Sequence, residues 1–387
     1  MKIGIFTDCY YPQINGVVTS IINLEEMLKK RGHEVYIITP AVKNFTDKDS
    51  KHIIRIFSIP FLKWSEFRIG LFLKYTKIYN KVKNLNFDII HTQTEFTMGA
   101  FGKLIAKDLN IPLLHTYHTV HEEYTHYISN IGQKQLKKIA KFFAKKYIHP
   151  FSGVIVPSLK TKNLLESYGI KNNIYVVPNG INLDNFKKEI SPDTILQLKK
   201  SLGLKDDSFK IIFLGRISKE KNIDMLVNAL TEVVKKNNAE LIIVGDGPHK
   251  IELEEKVKTL GLTKNVFFTN KIPNENVPLY YKLADLFISP SKTETQGLTI
   301  IEAMAANIPV LVYDDTNIDG IVLDKKTGLL FKTDEELIEK IQFAVEHKTE
   351  IAEYAKKGIT IVDEFSSQKF AEKIEKIYID TINNSKR

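Results

Sequence analysis

Residues 285–312, DLFISPSKTETQGLTIIEAMAANIPVLV, constrain the fold of this chain more than any other stretch. Asp285 to Ile288 reads as a short buried strand running into a loop at Ser289, Pro290 and Ser291. From Gly297 the period changes. Leu298, Ile301, Ala305 and Ile308 recur at helical spacing among good helix formers. Pro309 stops the helix, and Val310 to Val312 starts another strand. Strand, helix and strand in this order belong to a wound α/β domain. Two carboxylates frame the join, Glu294 in the loop and Glu302 on the helix, eight positions apart. Gly297 allows close backbone approach at the helix entrance, where unpaired N–H groups favour an anion. Glu302 lies about 8 Å further along at the helical rise. An anion at the helix start would therefore sit between two carboxylates. On this stretch alone, an ordinary strand–loop–helix with two surface glutamates fits equally well.

The rest of the chain repeats the pattern. Lys2–Phe6 reads as a strand, followed by the loop TDCYYPQINGVVTS, a helix from Val17 to Lys30 closed by Gly32, and a strand at Val35–Thr39. No G-x-G-x-x-G follows the first strand, so the dinucleotide fingerprint is missing. Gly16 in that loop suits a plain turn as well as a ligand approach. Further strands are expected at 52–57, 88–91, 113–117, 153–156, 174–177, 210–214, 240–244 and 266–268, with helices between. The loop GRISKEKN places Arg216 and Lys221 between a strand and a helix expected from Asn222. Two cations there can neutralise a diphosphate, or can be solvated loop charges. GDGP after the 240–244 strand reads as a tight turn with a mainly structural role. In HTYHTVHEEYTHYI, His115, His118 and His121 are spaced by three, but complete no metal-ligand set of known geometry.

At 387 residues the chain is too long for one ordinary core, so two domains are expected, with the boundary at 185/186 and a last segment, 366–387, carrying a helix from Ser367. At 43% hydrophobic and 26% charged it is globular. It has no apolar run of roughly 18 residues, nothing like a signal peptide at its start, and one cysteine, which fits a reducing cytoplasm. The net charge of +9 is uneven. Residues 1–185 hold 25 Lys/Arg against 14 Asp/Glu, or +11, and residues 186–387 hold 30 against 32, or −2. The first half therefore expects an anionic partner. Its segment 136–151, LKKIAKFFAKKYIHPF, places Leu136, Ile139, Ala140, Phe143 and Tyr147 on one helical face. Lys137, Lys138, Lys141, Lys145 and Lys146 cover the others, and Phe142 projects among the lysines. This is the pattern of an interfacial membrane helix, and also of a solvated helix packed on a sheet. Segment 61–85 adds Trp64, Phe67, Leu71, Phe72 and Tyr75 beside further basic residues, which favours the membrane.

Together these stretches resemble the retaining glycosyltransferases of family four, over essentially the whole chain. The resemblance implies the α/β GT-B fold, two doubly wound Rossmann-like domains facing across a cleft, with the acceptor in residues 1–185 and the sugar-nucleotide donor in 186–365. Its E-x7-E segment implies Glu294 on the donor sugar and Glu302 on the ribose. Its R-x4-K pair implies Arg216 and Lys221 on the diphosphate, with Gly297, Leu298 and the Gly16 loop near the phosphates. Lys271 and Ile272 would lie against the base, and His118 against the donor sugar. Gln296 stands where the family often has Phe, and Asn307 where it often has Gly; Asn tolerates a left-handed helix end. No carboxylate is placed as a nucleophile, and same-face attack is implied, with no metal and no cofactor. ETQGLT, YTHYI and the basic aromatic segments are similar to the subgroup that glucosylates diacylglycerol. The implied reaction moves a hexose, glucose from UDP-glucose, to diacylglycerol as an α-glycosyl lipid. The implied location is cytoplasmic, peripheral on the inner face of the cell membrane, with Lys137, Lys138, Lys141, Phe142 and Lys145 on an anionic surface. A phosphatidylinositol mannosyltransferase and a soluble-acceptor transferase are the nearest alternatives. A nucleic-acid-binding protein or a non-catalytic lipid-binding relative would leave Arg216, Lys221, Glu294 and Glu302 unexplained, and no nucleic-acid partner is expected.

Overall fold

The computed structural model describes residues 1–13, 15–47, 51–61, 64–118, 133–292, 294, 296–315, 318 and 320–385, although side chains are described neither at 61 and 64–67 nor at 133–140. The chain forms two compact units. One comprises Met1–Gly180 with Ser367–Arg387, the other Ile181–Ser366. The chain thus leaves the first unit at 180/181 and returns at 366/367, against the 185/186 and 365/366 read from sequence.

The first unit is built on seven parallel strands: β1 (Lys2–Phe6), β2 (Glu34–Pro40), β3 (Ile53–Ile56), β6 (Ile89–Thr92), β7 (Leu113–Thr116), β8 (Gly153–Val156) and β9 (Ile174–Val176). Their spatial order is β3-β2-β1-β6-β7-β8-β9, so the winding reverses direction beside β1. Successive residues of a strand face opposite ways. Accordingly Ile3 and Ile5 pack with the Gly16–Lys30 helix through Ile21, Leu24 and Leu28, while Phe6 packs on the other face with Phe101 and Ile105 of the Thr97–Leu109 helix. Both faces are covered, as a parallel sheet requires.

The C-terminal helix, Ser367–Ser385, lies on the first of these faces. Phe370, Ala371, Ile374, Ile377 and Tyr378 recur at helical spacing and join the cluster of Ile21 and Leu24. Arg31 and His33 clasp its Glu375, each at 2.5 Å.

Segment 61–85 departs from expectation. In place of an amphipathic helix, β5 (Trp64–Gly70) pairs antiparallel with β4 (Ser58–Phe61), and only Lys77–Lys83 is helical. Strand formers such as Ile59 and Ile69, opposite each other in the register, outweigh the scattered basic residues. Phe72 turns inward and stacks on Phe101 at 4.7 Å, while Leu71 and Tyr75 are exposed.

The second unit has six parallel strands in the order β12-β11-β10-β13-β14-β15. These are β10 (Phe209–Leu214), β11 (Ala239–Val244), β12 (Val266–Phe268), β13 (Leu286–Ser289), β14 (Val310–Tyr313) and β15 (Leu329–Phe331). β10 again divides its side chains, Phe209, Ile211 and Phe213 to one core and Ile212 to the other. Ligands of such sheets bind beyond the carboxyl ends of the strands, where the loops after β10, β11 and β13 lie.

Candidate active site

After β10 the chain passes Gly215 and Arg216, makes one 3-10 turn at Lys219–Lys221, and enters the Ile223–Val233 helix through Asn222 in the left-handed region. The loop is braced by the turn after β11. The Ile217 N–H donates to the Asp246 carbonyl at 3.0 Å, and the His249 N–H donates to the Ile217 carbonyl at 3.1 Å. A Cβ at Gly247 would run into that same carbonyl. GDGPH is therefore the support that sets the position of Arg216. Arg216 itself is exposed and meets no carboxylate among the described residues, as suits a cation kept for an anionic ligand.

The loop after β13 meets this one. Lys221 Nζ lies 2.8 Å from Glu294 Oε1 in a partly buried pair, and Asn222 Nδ2 donates to the Pro290 carbonyl at 3.4 Å. Two residues drawn from different motifs of the sequence, R-x4-K and E-x7-E, are thus in direct contact. The Ser291 hydroxyl nearby is buried without a partner among the described residues, a polar group that a ligand could satisfy. Thr293 and Thr295 of ETQGLT lie outside the described residues.

The helix beyond is Leu298–Ala305. Gly297 precedes it at φ +72° and offers no side-chain cap, so its first N–H groups are left for an anion. A Cβ at Gly297 would also stand 2.8 Å from Ile300 Cδ1. Leu298 packs partly into the core and holds the first turn down. The Tyr281 hydroxyl shares its one proton between the Thr299 carbonyl, at 2.9 Å, and the Glu302 carboxylate, at 3.2 Å. Burial pushes the Glu302 carboxyl up to about 7, with the Tyr281 hydrogen bond acting against it. Tyr281 carries no local sequence signal, because its partner comes from another helix. Beyond β12, Lys271 is exposed and Ile272 leans on the core of the unit.

In the first unit, Asn15 caps the Gly16–Lys30 helix by accepting from the Val18 N–H at 3.0 Å, and Gly16 is its exposed first residue. Past β7, His118 is held at Nε2 by Gln93 Oε1 at 2.7 Å, and burial lowers its imidazole to about 4, so it is neutral near pH 7. His115 is a core residue: Nδ1 meets Thr92 Oγ1 at 2.8 Å and Nε2 meets Glu95 at 3.3 Å. His121 and the YTHYI run lie outside the described residues, and among those described no three His, Cys, Asp or Glu side chains converge as metal ligands would. Asp8 and Gln93 were not singled out in the sequence. Asp8 caps the Thr97–Leu109 helix through the Met98 N–H at 3.0 Å, and burial raises its carboxyl.

The basic helix spans Gln133–Ile148. Its inner face is Ala144, Tyr147 and Ile148. Phe143, expected on that face, is instead 63% exposed, as is Phe142, and the two rings meet edge to face at 5.9 Å. Lys145 and Lys146 are exposed. Lys141 is exposed too but donates to the Ser167 carbonyl at 2.9 Å, and so is partly tied down. The side chains of Lys137 and Lys138 lie outside those described. Among the described residues no helix is long and apolar enough to cross a membrane.

The two wound parallel sheets, one of seven strands and one of six, define a GT-B glycosyltransferase fold. Residues 14–185 match the family model Glycosyltransferase Family 4, and residues 195–359 match Glycosyl transferases group 1. The chain belongs to this family. It is 36% identical, over 99% of its length and 86% of the relative's, to the alpha-monoglucosyldiacylglycerol synthase of Streptococcus pneumoniae. It is 35% identical to the enzyme of the same name in Acholeplasma laidlawii, covering 100% of this chain and 99% of that one. Anabaena HepE in complex with UDP-glucose shares the fold, with TM-score 0.77 and 20% identity over 98% of this chain and 100% of that one.

Proposed function

We propose that this glycosyltransferase moves glucose from UDP-glucose to diacylglycerol with retention, giving an α-glucosyl lipid. The observation that carries the acceptor is the similarity, 35–36% across both units, to two synthases from different bacteria that bear the same product name. The chemistry is supported by the second unit. Arg216, Lys221 and the open N-terminus of the Leu298–Ala305 helix gather positive charge for the diphosphate as it leaves, which lowers the barrier only as that charge develops. In this reading protein groups, rather than a metal ion, meet the leaving group's charge. Glu294 first holds Lys221 and then accepts from sugar hydroxyls once the diphosphate takes the lysine. Glu302 accepts from the ribose, Lys271 and Ile272 edge the base, and Leu298 keeps backbone near the phosphates.

His118, neutral, faces a donor-sugar hydroxyl. The acceptor hydroxyl attacks on the face the diphosphate leaves, and a leaving phosphate oxygen takes its proton. The first unit takes the acceptor and rests on the membrane from the cytoplasmic side. Phe142 enters the interface, and Lys137, Lys138, Lys141 and Lys145 meet anionic headgroups at about 1 kcal/mol each. Label transfer from UDP-glucose, UDP-galactose and GDP-mannose to diacylglycerol, phosphatidylinositol and soluble sugars tests the assignment. UDP-glucose with diacylglycerol should exceed every other pair, and preference for GDP-mannose or a soluble sugar would overturn it.

A further inference from the structure

The first unit contains a buried polar chain that the reaction as described does not use. At its far end the Tyr378 hydroxyl, on the C-terminal helix, meets His91 Nδ1 at 2.6 Å, and Thr116 Oγ1 meets His91 Nε2 at 2.7 Å. Both ring nitrogens of His91 are thus engaged, and complete burial drives its imidazole well below the usual range, to the neutral form. Next comes Gln93, itself buried, with its amide nitrogen 3.1 and 3.2 Å from the two nitrogens of His91. Nearly equidistant from both nitrogens, the amide nitrogen sits over the face of the ring, where the π electrons accept an N–H and would repel an oxygen. With its nitrogen committed to His91, the amide turns its oxygen outward, and Oε1 lies 2.7 Å from His118 Nε2.

We infer that Gln93 is a positioning residue that fixes His118 as its Nε2–H tautomer and leaves Nδ1 as the acceptor. An amide oxygen can only accept, so His118 Nε2 must donate. The neutral ring has one proton, and Nδ1 is then a lone pair. The consequence for transfer rests on the reading that His118 faces the donor sugar: such a group accepts from a sugar hydroxyl and presents no positive charge to the phosphates. The C-terminal helix thereby bears on His118 through Tyr378, His91 and Gln93.

The test is the tautomer. Full-length protein is labelled with 15N-histidine, and the His118 signals are assigned by their loss in His118→Asn. Long-range 15N–1H correlations at neutral pH should show a protonated Nε2 and a bare Nδ1. Gln93→Glu keeps an acceptor in place and should keep that pattern, whereas Gln93→Leu should lose it. kcat/KM for UDP-glucose should fall about tenfold in Gln93→Leu, the equivalent of roughly one hydrogen bond. A Nδ1–H tautomer in the wild type, or one tautomer unchanged through both variants, overturns the inference. Should Gln93→Leu fail to fold, the wild type alone decides. A displaced tautomer with unchanged kcat/KM upholds Gln93 and removes His118 from the donor site.

Discussion

Glu302 offers a titration whose outcome follows from its surroundings. Its carboxyl is raised from the ordinary 4.5 to about 7 by burial, with the Tyr281 hydroxyl as its hydrogen-bond partner. Ribose hydroxyls donate, so the form that binds them is the carboxylate, and binding must expel the proton the free protein keeps. At about pH 6 roughly one site in ten is ionised, and at about pH 8 roughly nine in ten. Apparent affinity scales with the competent fraction, so affinity for UDP-glucose should rise about tenfold from pH 6 to pH 8 and then level off. The diphosphate of UDP-glucose, esterified at both ends, exchanges no proton in this interval. Glu302→Gln cannot ionise; it should bind more weakly than wild type at pH 8 and show no slope. Calorimetry in two buffers of different ionisation enthalpy reads the affinity and the released proton together. The unliganded fold should respond in the opposite sense. Because the folded value lies above the unfolded one, the contribution to stability is present below about 4.5 and lost as pH rises through about 7. A flat wild-type affinity, or a Glu302→Gln variant that keeps the slope, would refute the reasoning.

Arg216→Ala and Lys221→Ala should each lower turnover about a hundredfold with the fold intact by circular dichroism, as expected for groups that stabilise leaving-group charge; near-normal turnover in either removes it from the role. Gly247→Ala should displace the Ile217 carbonyl and weaken UDP-glucose binding by calorimetry more than it lowers Tm, because the overlap falls on the loop that carries Arg216. In vesicle sedimentation, binding should rise with anionic lipid and fall with salt, within a screening length of about 10 Å at 0.1 M. Replacing Lys137, Lys138, Lys141 and Lys145 by Glu should abolish it, while Phe142→Ala should weaken it in a way salt does not mimic. Equal binding to neutral and anionic vesicles would return the helix to an ordinary solvated face.

The parallel sheets were legible because their strands are short apolar runs, many of them bounded by Gly, Pro or Asn; Gly153–Val156 and Val266–Phe268 fall where the sequence places them. The donor-side motifs were legible as spacings. Their contact was not, since the Lys221–Glu294 pair joins residues 73 apart. Phe143 illustrates a different limit. A helical wheel assigns faces by period, but the sheet decides which arc is buried, and here it took Ala144, Tyr147 and Ile148. Gln93 and Tyr281 escaped notice for a third reason. A lone buried polar residue reads as any other until the group it satisfies comes from elsewhere in the fold.

The anomeric configuration of the lipid product tests the central claim most directly. The protein is incubated with UDP-glucose and diacylglycerol in mixed vesicles, and the extracted glycolipid is read by proton NMR. The account predicts a glucosyl diacylglycerol whose anomeric proton shows the small coupling of an α linkage, from a donor that is itself α-linked. A β-linked product, or no lipid product while glucose passes to a soluble acceptor, would contradict it.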